Sequence, residues 1–148
     1  MHRVRRQNAP AYCRVESYVM NSPSQHYRDI SADHYDLAGA RAWMATVCGP
    51  HHLYVARPEC IEFHHSGNVL PSMSTTLGYV EYGTDVTIGI GDGHALNCYS
   101  LSLPLSGEQE LEKGGQRLLS DRRCGVIVSP HETQRLTIAG NCHKLQVA

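Results

Sequence analysis

At Pro50 the hydrophobic period of this chain changes, and that change bounds every fold it can take. Upstream, in SADHYDLAGARAWMATVCGP (Ser31–Pro50), Leu37, Ala40, Trp43, Met44 and Val47 recur at three- and four-residue steps, the spacing of one helix face. Asp33 or Asp36 supplies an N-cap and Gly49-Pro50 a stop. Downstream the period is two, in the short segments HLYVAR, CIEFHH, MSTTLGYVEY, DVTIGI, ALNCYSLSLPL, EQELEK, QRLLS, GVIVS, QRLTIA and CHKLQVA. Strand-like segments at roughly ten-residue spacing imply an antiparallel sandwich or barrel. Reversals fall at Ser106-Gly107, Gly114-Gly115, Asp121 with Gly125, and Gly140-Asn141. Between ELEK and QRLL, Gly114-Gly115 predicts a hairpin, because glycine reaches the positive φ of such turns.

With 148 residues the chain suits one domain. Residues 1–30 mix Asn, Pro, Ser, Gln and Arg without a sustained period and read as an N-terminal arm, with AYCRVESYV (Ala11–Val19) as one edge strand. The domain proper is expected over 31–148.

Lys plus Arg (13) nearly cancels Asp plus Glu (14), so no long-range field draws the chain to nucleic acid or an anionic membrane. The basic start MHRVRR reads as a solvated terminus. No apolar run approaches the roughly 18 residues that span a bilayer, and no hydrophobic signal segment follows the basic start. A soluble cytoplasmic protein is expected. The six cysteines include no C-x-x-C, and several lie in apolar strand patterns, as buried reduced thiols do.

Ten histidines raise the question of a metal. The doublets His51-His52 and His64-His65 are poor chelators, because neighbours on a strand point to opposite faces. No H-x-H pair occurs, and that pair is the usual start of an iron or zinc site on a double-stranded β-helix. The chain has no G-x-S-x-G elbow, Gly91-Asp92-Gly93 reads as a turn, and Glu108, Glu110 and Glu112 alternate on a solvated face. No catalytic constellation, metal or cofactor is expected.

ALNCYSLSLPL is two-sided. Tyr99, Leu101, Leu103 and Leu105 face one way, and Cys98, Ser100, Ser102 and Pro104 the other. MSTTLGYVEYG likewise sets Thr75, Leu77 and Tyr79 against Thr76, Val80 and Tyr82. Eight tyrosines against one phenylalanine suit a mixed pocket, since a phenol brings apolar area and a hydroxyl.

The order of segments is similar to the N-terminal cupin-type domain of AraC/XylS-family bacterial transcriptional regulators. LAGARAWMATVCGPH comes first, then CIEFHHSGNVL, TTLGYVEYGTDVTI and SLPLSGEQELEKGGQRLLSDRRCGVIVSPHE. Its most specific parts are Tyr82-Gly83 after a strand, Leu103–Gly107 before a Gly-Gly hairpin, and Gly125–Pro130. The resemblance spans about Asp36 to Ala148. It implies a mainly β double-stranded β-helix, a cupin or jelly-roll barrel, with one N-terminal helix packed alongside. It further implies a module that senses a small-molecule effector or forms a homodimer, with DNA gripped only by a C-terminal helix-turn-helix domain lying outside this chain. The candidate ligand-binding residues rest on strand parity: Trp43, Tyr79, Tyr82, His94, Tyr99, Ser100 and Ser102. Parity leaves open which face lines the barrel; if the Leu101/Leu103 face does, the cavity is apolar and suits aromatic or fatty ligands. A small cupin enzyme, an isomerase or metal-dependent dioxygenase, is the alternative.

Overall fold

A computed structural model describes residues 28–70, 75–91 and 93–148. The strands are β1 (Arg28–His34), β2 (His52–Val55), β3 (Phe63–Leu70), β4 (Thr75–Glu81), β5 (Val86–Ile90), β6 (Ser100–Ser106), β7 (Gln109–Lys113), β8 (Gln116–Ser120), β9 (Val126–Val128), β10 (Gln134–Ile138) and β11 (His143–Val147). Helix α1 (Leu37–Cys48) follows β1, and a short 3₁₀ turn covers Pro58–Cys60. One sheet runs β1-β3-β4-β11-β6-β9 and the other β2-β5-β10-β7-β8. Every pairing is antiparallel, and strands distant in sequence, such as β4, β11 and β6, lie side by side. The architecture is the expected double-stranded β-helix with one helix against it.

Helix α1 is bounded by local chemistry. Asp36 Oδ1 accepts from the Gly39 amide at 2.7 Å, satisfying one orphan N–H of the first turn. At the other end Gly49 takes φ 98°, and the Asn97 amide donates to the Cys48 carbonyl at 2.9 Å. The helix buries Ala40, Met44 and Cys48 in the core shared by both sheets. Gly114 and Gly115, at φ 57° and 74°, form the two-residue turn joining β7 and β8, as the hairpin reading requires.

Several boundaries differ from the sequence reading. The helix begins at Leu37, because Ser31–His34 belongs to β1, which pairs with β3 from Arg28↔Val69 to His34↔Phe63. This edge strand crosses the expected division at residue 30. Cys60 lies in the 3₁₀ turn and β3 runs on through SGNVL, while Ala95–Tyr99 precedes β6 as irregular chain. The proposed strand at Ala11–Val19 lies outside the described residues. Among the described residues no helix is long and apolar enough to cross a membrane.

The inner face of β6 is its polar one. Ser100 and Ser102 are buried, whereas Leu103 and Leu105 are 36% and 50% exposed. β11 repeats the inversion, burying Lys144 and Gln146 and leaving His143, Leu145 and Val147 half-buried on the other side. Each inward serine has a partner. Ser102 Oγ donates to Gln109 Oε1 across the two sheets at 3.0 Å, and Gln109 Nε2 donates to Ser120 Oγ at 3.1 Å. Gln146 Nε2 donates to Ser100 Oγ at 2.9 Å. Pro104, which cannot donate to a ladder, sits opposite Lys144 beside a register shift in β11, one of the few settings in which a strand accepts proline.

Candidate functional site

Between the sheets lies a narrow cavity open to about 20 Å³ of water-sized volume, the scale at which one water fits. Its apolar wall is Ile88 and Ile90 of β5, Val128 of β9, Leu136 of β10, Met44 of α1 and Leu96. Its polar wall is Ser100, Ser102, Lys144, Gln146 and His51, with the thiol of Cys48. Thus β6 and β11, with His51, bring the hydrogen-bonding groups, and the five-stranded sheet, the helix and Val128 of β9 bring most of the grease.

Lys144 is 2% exposed. Its Nζ forms no hydrogen bond or ion pair with any described residue. Burial pulls its pKa down to about 8, the nearby Cys142 and Cys48 opposing only in part. Cys48 is itself pushed up to about 12 by burial and by Cys98, so it stands as a neutral thiol and not as a counter-ion.

His51 follows the helix stop and turns inward. Its Nδ1 lies 2.9 Å from the Gly49 carbonyl, an acceptor only, so Nδ1 carries the proton and Nε2 presents a lone pair. That Nε2 is buried without a partner, and burial lowers the ring's pKa, keeping it neutral.

The two histidine doublets split between faces as strand parity requires. His65 is buried and accepts from Trp43 Nε1 at 3.1 Å, whereas His64 pairs with Asp33 at the surface. His52 faces Tyr54 and stands edge-on to His94, 4.0 Å between ring centroids. Among the described residues no three His, Cys, Asp or Glu side chains are placed to hold one metal ion.

Of the residues singled out from sequence, Ser100 and Ser102 line the cavity. Ser102 donates its hydroxyl proton to Gln109; Ser100 accepts from Gln146 and keeps its own proton free. Tyr82 is buried against Phe63 at 5.2 Å between centroids, its hydroxyl unpartnered, with burial raising its pKa. Trp43 is committed to His65. Tyr79 donates to Glu81 Oε2 at 2.8 Å and meets His143 edge-on, and Tyr99 is 66% exposed. The structure therefore gathers the two serines and spreads Trp43, Tyr79, Tyr82, His94 and Tyr99 around the barrel. Sequence reasoning passed over His51, Lys144 and Gln146. The available signal was parity: in CHKLQVA, Lys144 and Gln146 alternate with Leu145 and Val147 as Ser100 and Ser102 alternate with Leu101 and Leu103.

The AraC-binding-like domain model matches residues 40–148. The chain belongs to that family. The crystal structure of the AraC-like transcriptional activator CuxR is similar in fold, with TM-score 0.62 at 11% identity over 81% of this chain. This AraC-binding-like domain spans 46% of that activator's length. More distant are a cupin superfamily protein of Desulfitobacterium hafniense (TM-score 0.42, 15% identity, 50% of this chain and 65% of that one) and the Clostridium difficile EutQ protein (0.41, 10%, 78% and 91%). No curated protein sequence matches the domain.

A lysine whose pKa is lowered on folding destabilises the native state wherever it is charged there. Its contribution is least favourable below pH 8 and recovers as pH climbs from about 8 toward the unfolded value of 10.5. The penalty at pH 7 is on the order of 3 kcal/mol. Above pH 9 the buried thiols act in the opposite sense, since their pKa values are raised on folding; comparison with Lys144→Met isolates the lysine. Urea unfolding should find Lys144→Met about 1–3 kcal/mol more stable than wild type at pH 7, with the gap closing toward pH 10. A gap that is absent at pH 7, or constant with pH, would show that the ammonium is solvated.

Proposed function

We propose that this domain is the effector-sensing part of an AraC-type transcriptional regulator, in which a small molecule entering the barrel shifts the population of two arrangements read by a separate DNA-binding domain. The supporting observation is the cavity itself: the partnerless Nε2 of His51 faces a void inside the core, and Ser100, which accepts from Gln146, and Lys144, unpaired among the described residues, line the same void. Native cores satisfy buried polar groups, and those left over mark a site that something else completes. Met44, on the same wall, is an unbranched thioether able to repack around a guest larger than the void. DNA recognition we assign to a further domain of the whole regulator, in keeping with a net charge of −1 here, and the cytoplasm to the regulator as its compartment.

A second reading, dimerisation, draws on the outer face of the six-stranded sheet. The registers Val147↔Leu77, Val147↔Leu101 and Leu101↔Ile127 align four apolar side chains across four strands. Leu77 and Ile127 are 45% and 63% exposed. Six strands about 4.8 Å apart and three to eight residues long present a face of roughly 600 Å², below the ~800 Å² per partner of a standard interface. A second copy, presenting the same apolar row, is the occupant proposed for this face.

Thermal unfolding across a broad metabolite panel tests the first reading. A ligand at about 100 times its Kd should raise the midpoint by roughly 5–10 °C, and a midpoint that no metabolite moves would overturn effector sensing. Sedimentation velocity tests the second. A dimer at ~100 µM that becomes monomeric on Ile127→Lys is expected, and a wild-type monomer would contradict it.

A further inference from the structure

We propose that the barrel interior seats the carboxylate of a small organic acid, with the Lys144 ammonium as its counter-ion. The inference rests on the effector-sensing reading and names the class of ligand. Lys144 is 2% exposed, lines the void and has no partner among the described residues. A charge taken from water without a partner costs several kcal/mol, and a folded chain normally relieves that cost with a carboxylate or by turning the side chain outward. Neither happens here. Among the described residues no Asp or Glu lines the cavity, and the acidic groups that act on Lys144 are the thiols of Cys48 and Cys142, both raised by burial. The missing anion is therefore exogenous.

The rest of the polar wall fits a carboxylate better than a simple inorganic anion. Ser100 keeps a free hydroxyl proton after accepting from Gln146, so the wall offers two donors, one cationic and one neutral, for two carboxylate oxygens. His51 Nε2 is an acceptor without a donor. It repels a bare anion and welcomes a hydroxyl or N–H, which places a donor-bearing carbon beside the carboxylate, as in a hydroxy acid. The apolar wall excludes water and strengthens each of these contacts. The void of about 20 Å³ takes one carboxylate oxygen, and the rest of the acid enters by displacing Met44.

Thermal unfolding at pH 7 and fixed ionic strength, with formate, acetate, lactate and benzoate as sodium salts against sodium chloride and against acetamide, lactamide and benzamide, tests the proposal. At least one carboxylate should raise the midpoint by several degrees with saturation, while its amide and chloride leave it unmoved. Lys144→Met should lose the response, and Ser100→Ala should weaken it about tenfold in apparent Kd. If Lys144→Met fails to fold, the carboxylate-against-amide contrast and Ser100→Ala decide. Equal responses to acid and amide, or a full response in Lys144→Met, would overturn the carboxylate assignment. No response to any carboxylate alongside a shift by a neutral metabolite would overturn it and leave effector sensing standing; no response to either set would end both.

Discussion

Everything in this barrel depends on the burial of the serine side of one strand. A hydroxyl placed in a core without a partner costs about 1–3 kcal/mol, which would ordinarily send Ser100 and Ser102 to solvent and Leu101, Leu103 and Leu105 inside. Gln109 and Gln146 reverse that preference, one reaching Ser102 from the opposite sheet and the other reaching Ser100 from the neighbouring strand. Once these pairs form, the strand's parity commits the leucines to the outer face. The polar inner face and the apolar outer face of β6 are two results of the same choice.

The inward polar face also carries a cost that the fold tolerates. Lys144 adds charge to an interior that could have held Met or Leu, and His51 leaves a lone pair unused. Proteins sit not far above the stability they need, and strained or under-satisfied groups persist where function uses them. In the proposed reading, a guest that supplies an anion would convert that cost into binding free energy, so the least comfortable part of the core would also be the part able to couple ligand to stability. Because the lysine lies on the strand between β4 and β6, relief there acts at the centre of the sheet and not at an edge.

Much of this architecture was legible in sequence. Period-two segments after Pro50 located the strands, Gly114-Gly115 located the hairpin, and Asp36 with Gly49 framed the helix. The first strand was not legible, since Ser31–His34 is a polar edge strand whose Asp33 imitates an N-cap, and only pairing with β3 reveals it. Strand parity separated the two faces of β6 correctly but carries no information on which is inner, because that depends on Gln109 and Gln146, respectively seven and forty-six residues from their serine partners. The aromatic and imidazole candidates Trp43, Tyr79, His94 and Tyr99 could not be placed by composition: Trp43 and His94 meet His65 and His52 from far along the chain, Tyr99 meets solvent, and Tyr79 is held by Glu81, its neighbour two residues on along β4. Lys144 escaped notice because a lysine at a polar position normally reads as a solvated face.

The orientation of β6 can be measured directly. With Ser102→Cys and Leu103→Cys introduced separately, native-state thiol labelling read at the peptide level by mass spectrometry reports which side chain meets solvent. Leu103→Cys should label at a rate near that of an unstructured thiol, and Ser102→Cys should be protected by at least a hundredfold until the domain unfolds. Fast labelling at position 102 with protection at position 103 would turn the strand over, put the leucines inside, and remove the polar cavity on which the functional proposals stand.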